Sequence, residues 1–205
     1  MMINETKARS VFKKVQQVHQ EYRAYVIGGV PVLLSVEDLY RVVSQMYGLT
    51  INKTQVIFDG EFVRGLVERY PERVEVRVRS SQAVVWKRFT AVKELCHVII
   101  DEKEDWSTDG VETIRDLLVE YFMTDGEEAA KVSQSEMLAE IAAIELLYPF
   151  EYRDGDLKKL AAQHTTIAKI ADQHGIPGVM VGRALEEHYH ANVASMLWTE
   201  LDEAA

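Results

Sequence analysis

The chain has 205 residues, 47% of them hydrophobic and 27% charged, with a net charge of −10. That content can bury one compact core with room for a small helical appendage, and argues against a second large domain. No apolar run approaches the roughly 18 residues of a membrane span, Met1 to Lys14 lacks the hydrophobic stretch of a secretory signal, and the single cysteine, Cys96, excludes a disulfide framework or a multi-cysteine zinc site. A cytoplasmic protein with no membrane partner is expected.

Residues 4–24 are predicted to form an amphipathic helix, because Val11, Phe12, Val15 and Val18 recur at helical spacing among polar residues, up to the Gly28-Gly29-Val30-Pro31 turn. Ser35 followed by Asp38 marks a second helix start, with Leu39, Val42, Val43 and Met46 on its apolar face and Gly48 as its stop. Val56-Ile57-Phe58, ended by Asp59-Gly60, reads as a short strand. Arg73 to Arg79 is the clearest strand: Val74, Val76 and Val78 alternate with charges, so one face is buried and the other meets water.

From Ala83 to about Ile100 the period becomes helical. A helix over Val111 to Met123, a polar segment from Thr124 to Gln134 and a helix from Ser135 to Leu147, halted at Pro149, are expected next. The remainder is helical in character, with breaks at Asp154-Gly155 and at Gly175-Ile176-Pro177-Gly178.

Charge is uneven along this order. Residues 101–130 hold eleven acidic against two basic side chains, and residues 64–93 hold eight basic against three acidic. A solvated face is the simplest account of such runs. They are also the candidate partner surfaces, with Arg73, Arg77 and Arg79 on the basic side.

Lys93-Glu94-Leu95-Cys96-His97 is the stretch that bears on chemistry. In His-Glu-x-x-His two histidines one helical turn apart bind zinc, and the glutamate activates the metal-bound water. Glu94 and His97 stand in that register, but Lys93 takes the place of the first histidine. Downstream, Glu136-Met137-Leu138-Ala139 leads to Glu145-Leu146-Leu147-Tyr148-Pro149, with Glu136 thirteen residues before Pro149. Arg88-Phe89-Thr90 runs directly into the motif.

On these residues the chain resembles the ImmA/IrrE family of zinc-metallopeptidase-like proteins over roughly residues 30–185. The family joins an Arg-Phe-Thr segment to His-Glu-x-x-His and takes a third, glutamate ligand from a later helix ending in an Ala-x-x-Leu-Leu-Met-Pro-like sequence. The resemblance implies a zincin-like domain, with His97 and Glu136 as metal ligands if zinc is bound and Glu94 as general base if the site is active. It also implies a bacterial or prophage setting in which the partner is a repressor-type transcription factor. The departures are Lys93 for histidine, Cys96 at a position usually held by glycine, Tyr148 for methionine and a long acidic insertion.

Physical chemistry suggests what Lys93 does. Without a cation, Glu94 and Glu136 would face each other as like charges in a partly buried pocket. An ammonium can fill that space and donate to both carboxylates, and it cannot ligate zinc while protonated. The favoured reading is a metal-free site held by a Lys93 to Glu136 ion pair, with His97 nearby, acting by protein contact. The alternatives are an active zinc endopeptidase that cleaves a repressor-type regulator, its ligand set completed by Cys96 or His164, and a helix with no site at all.

Residues 167–190 also fit helix-turn-helix spacing, which makes a DNA-binding regulator a further alternative. The second helix offers Arg183 but also Glu186 and Glu187, and an acidic chain lacks the cationic surface that phosphates require. DNA is therefore disfavoured as a partner.

The expected class is α+β, mostly α, with a small one-sided sheet of about three strands. The expected parts are an N-terminal helix at 1–25, a metallopeptidase-type domain at 26–155, and C-terminal helices at 156–205 packed on the same domain.

Overall fold

The computed structural model describes residues 5–29, 31–59, 63–101 and 127–204, without the side chains of 127–133. Helix α1 (Glu5–Tyr25) buries Val11, Phe12, Val15, Val18 and Tyr22, the stripe that its spacing predicts. Helix α2 (Val36–Tyr47) begins where the Ser35 side chain accepts the Asp38 N–H at 3.2 Å and ends at Gly48 in the left-handed conformation.

Strands β1 (Thr50–Val56), β2 (Gly65–Arg69) and β3 (Arg73–Arg79) form one sheet in the order β1-β3-β2. β3 lies at the centre, parallel to β1 and antiparallel to β2, and a tight turn between Tyr70 and Arg73 joins it to β2. Val74, Val76 and Val78 are buried while the residues between them are not, so the sheet is one-sided. The strand expected at Val56 to Phe58 lies earlier. β1 is a mostly exposed edge strand of polar residues, with no apolar alternation to betray it, and Ile57 is 90% exposed beyond its end.

Helix α3 (Val84–Ile100) is buried almost continuously from Phe89 onward. It has β2 and β3 on one side and α1, α2 and α4 (Glu127–Leu147) on the other. Alanines 139, 142 and 143, all fully buried, give α4 a smooth surface along which α3 can approach closely. The helix expected over 111–123 falls outside the described residues. The polar stretch predicted to persist to Gln134 is helical from Glu127 onward, since polar residues carry helix readily when α4 continues into a packed half.

Helix α5 (Phe150–Ala161) runs straight through the predicted break at Asp154-Gly155. A Cβ on Gly155 would meet nothing within 4 Å, so this glycine costs only its helix propensity. The boundary expected at 155 thus falls inside a helix. Helices α6 (Ile167–His174) and α7 (Gly178–Leu185) flank the predicted turn at Gly175. A single helical turn, α8 (Glu187–Tyr189), then a π-helical stretch at His190–Ala194 lead to α9 (Ser195–Glu203).

These C-terminal helices share one hydrophobic cluster with α1, α2, β3, α3 and α4. A polar knot fixes them there. Arg153 and Glu145 are both wholly buried and pair at 2.8 Å. The other Glu145 oxygen accepts Trp198 Nε1 at 2.8 Å, the Tyr189 hydroxyl donates to Glu145 at 2.5 Å, and Arg153 donates to the Tyr148 carbonyl at 2.8 Å. The architecture is α+β and mostly α, with a three-stranded sheet. Among the described residues no helix is long and apolar enough to cross a membrane.

Candidate functional site

One turn of α3 and one residue of α4 converge on a cluster of charges. Lys93 and His97 share a face because a four-residue step returns nearly to the same side of a helix, and Glu94 sits beside them. Lys93 Nζ lies 3.2 Å from Glu94 Oε1 and 2.5 Å from Glu136 Oε2, while His97 Nε2 lies 3.2 Å from Glu136 Oε1. One carboxylate from α4 thus spans two bases of α3.

Side-chain exposure falls from 51% at Glu136 to 18% at Lys93, 10% at His97 and 6% at Glu94. Among its described residues the cluster is most exposed at Glu136.

β2 presses against the site because Gly65 carries no side chain. A Cβ there would lie 2.6 Å from Thr90 Cγ2 and 2.7 Å from both Glu94 Cγ and Glu94 Oε1. Arg69, four residues along the same strand, donates to the His97 carbonyl and to Asp101 Oδ2 at 3.3 Å. Asp101 ends α3 and holds His97 Nδ1 at 3.0 Å, and the Ser135 hydroxyl donates to its other oxygen at 2.9 Å. Asp101 is one turn beyond His97, the only signal in the sequence that could have found it. Nothing marks Arg69, which reaches the site by strand pairing.

The charges stabilise one another. Burial alone would lower the Lys93 pKa, but Glu94 and Glu136 outweigh it and raise the ammonium's pKa. Burial also opposes the His97 imidazolium. Hydrogen bonding to Asp101 and interaction with Glu136 reverse this, so its pKa is pushed up to about 9. Partial burial of the Glu136 carboxyl would raise its pKa, yet His97 and Lys93 hold it below the usual carboxylate range.

Arg88, Phe89 and Thr90 brace this helix from outside the cluster. Arg88 donates to the Leu34 carbonyl at 2.6 Å, Phe89 packs in the core against Trp86, and Thr90 Oγ1 donates to Gln82 at 3.0 Å. Cys96 is fully buried, which raises its thiol pKa. His164 is exposed just after α5 and is not among the groups meeting His97 or Glu136.

The described residues of this cluster do not fit a catalytic zinc ion. Such a site needs three protein ligands and an open position. Here the first ligand position is filled by a protonated amine, which offers only donors and lies against the carboxylate that would be the third ligand.

The other sequence candidates are placed as follows. Arg73 pairs with Glu75 at 3.2 Å and stacks on Tyr70, Arg77 pairs with Glu68 at 2.7 Å, and Arg79 donates to the Val63 carbonyl at 2.6 Å. The basic strand is therefore engaged with its own neighbours. In the helix-turn-helix-like segment, Met180, Val181 and Ala184 face the core and Arg183 pairs with Glu140 of α4. The acidic residues 102–126 lie outside the described residues. The chain matches no protein-family model and no curated protein.

Proposed function

We propose that this chain is a catalytically silent, metal-free relative of the ImmA/IrrE-type zinc peptidases that works by protein contact, with a repressor-type transcription factor in a bacterial or prophage setting as its partner. The observation that carries this reading is Lys93 Nζ lying between Glu94 and Glu136, 3.2 and 2.5 Å away, from the helix position that the resemblance gives to the first zinc ligand. A fixed positive charge there removes the like-charge repulsion that loss of a metal would leave, and it preserves the arrangement of α3 against α4. In this reading no metal polarises a water, and Glu94, 3.2 Å from that charge, serves as a counter-ion rather than a base.

Elemental analysis of the purified protein tests this. The wild type is expected to carry zinc far below stoichiometry, and Lys93→His is expected to gain it with His97 and Glu136 as the other ligands. Stoichiometric zinc in the wild type, lost in His97→Ala or Glu136→Ala, would establish the zinc endopeptidase instead.

A further inference from the structure

Glu136 is held as a ligand is held. Each of its oxygens faces a different cation, Oε2 at 2.5 Å from Lys93 Nζ and Oε1 at 3.2 Å from His97 Nε2. The two cations are fixed independently of it, Lys93 by Glu94 at 3.2 Å and His97 by Asp101 at 3.0 Å. Glu136 is also the exposed member, at 51% against 6% for Glu94 and 12% for Asp101. It can rotate into water while the rest of the cluster stays in place.

A further observation points to an exchangeable anion. His97 Nε2 is buried, and its contact with Glu136 is too bent to count as a hydrogen bond, so a better-placed oxygen would gain there. A carboxylate brings paired oxygens to Lys93 Nζ and His97 Nε2, as Glu136 does.

We infer that Lys93 and His97 form a carboxylate-binding site that Glu136 fills as an internal stand-in and that the carboxylate of an acidic partner peptide takes over. This rests on the metal-free reading above. A tethered carboxylate acts at an effective concentration of about millimolar or more. A free small acid therefore competes poorly, and the natural ligand is a carboxylate carried by a peptide that makes contacts of its own. The peptide can supply it from an acidic side chain or from its C-terminus.

The test removes the stand-in. Full-length Glu136→Ala, with thermal midpoints compared in sodium acetate and sodium chloride at equal ionic strength, is expected to be stabilised by acetate specifically. The apparent acetate affinity should exceed that of the wild type by about tenfold or more, and the effect should vanish in Lys93→Met/Glu136→Ala.

Three N-acetylated trialanine-based peptides then separate the sources in Glu136→Ala: one with a free C-terminus, its amide, and an amide with a central aspartate. Binding of either carboxylate peptide but not the plain amide supports the site and names the source. If Glu136→Ala is too unstable to measure, Glu136→Asp, whose shorter arm cannot span both cations, carries the same comparison. No acetate-specific effect in a protein shown to be zinc-free, or an effect that survives loss of Lys93, overturns this inference and leaves the metal-free reading standing. Stoichiometric zinc overturns that reading first.

Discussion

Lys93 and Glu94 are neighbours in sequence, and at the residue scale each is the other's reason to be buried. Glu94 has a 6% exposed side chain, and without the ammonium 3.2 Å away its charge would sit beside Glu136 with no cation of its own. Lys93→Met is therefore expected to destabilise the fold by about 3 kcal/mol, measured by urea unfolding at neutral pH. Lys93→Met/Glu94→Gln should recover most of that loss, because it removes the stranded charge as well. His97 gives the site a pH signature. Its folded pKa of about 9 exceeds the ordinary 6.5, so its stabilisation is whole below pH 6.5 and is lost as pH climbs through 9. The stability difference across that window should be on the order of 3 kcal/mol at most, the bent contact with Glu136 making this an upper bound, and His97→Gln should flatten it. Lys93, Glu94 and His97 were legible in the sequence because they share a helical register, and Glu136 because the family resemblance puts a ligand at its place before Pro149. Asp101, Arg69 and Ser135 were not, since hydrogen bonds to a helix end come from whichever chain happens to pack there.

Elements whose apolar residues face one way declared themselves. The stripe of α1, the Ser35 cap of α2 and the alternating valines of β3 each state a period and a buried face. β1 did not, because an edge strand with exposed side chains on both faces has no period to read. The Gly155 break failed for a related reason: an open glycine weakens a helix by about 1 kcal/mol, which packing on either side of it readily offsets. Gly65 is the opposite case, a glycine whose emptiness is used. Gly65→Ala would place a methyl 2.6 to 2.7 Å from Thr90 and Glu94, forcing β2 off α3. The expected loss is about 1–3 kcal/mol by chemical denaturation, with Glu94→Ala partly suppressing it by making room. Gly175 is doubly constrained, with φ +62 at the end of α6 and a Cβ that would lie 2.7 Å from Leu33. That position was read correctly as a turn, and the tertiary contact is a second reason for it.

Across the whole molecule, the C-terminal helices are locked to α4 by a buried charge pair that the sequence left unmarked. Arg153 and Glu145 are eight positions apart across a proline, and both are fully buried. Arg153→Met is expected to cost about 3–5 kcal/mol, because Glu145 is left as a buried anion, and the loss should appear as early loosening of the C-terminal helices in hydrogen exchange. Trp198→Phe should cost less, since Glu145 retains Arg153 and Tyr189. The same packing decides the helix-turn-helix-like segment: its second helix turns Met180, Val181 and Ala184 inward and pairs Arg183 with Glu140, which ties it into the core. By itself the sequence determined the class, most helices and the central strand, because periodicity is local and each helix carries its own buried face; that residues of α3 and α4 belong together came from the family resemblance. Only the tertiary structure decided that Glu136 also meets His97, that Asp101 and Arg69 join the site, that β2 lies against Glu94, and that Glu136 is the most exposed member of the cluster. Those facts depend on distances between elements, which no local pattern encodes.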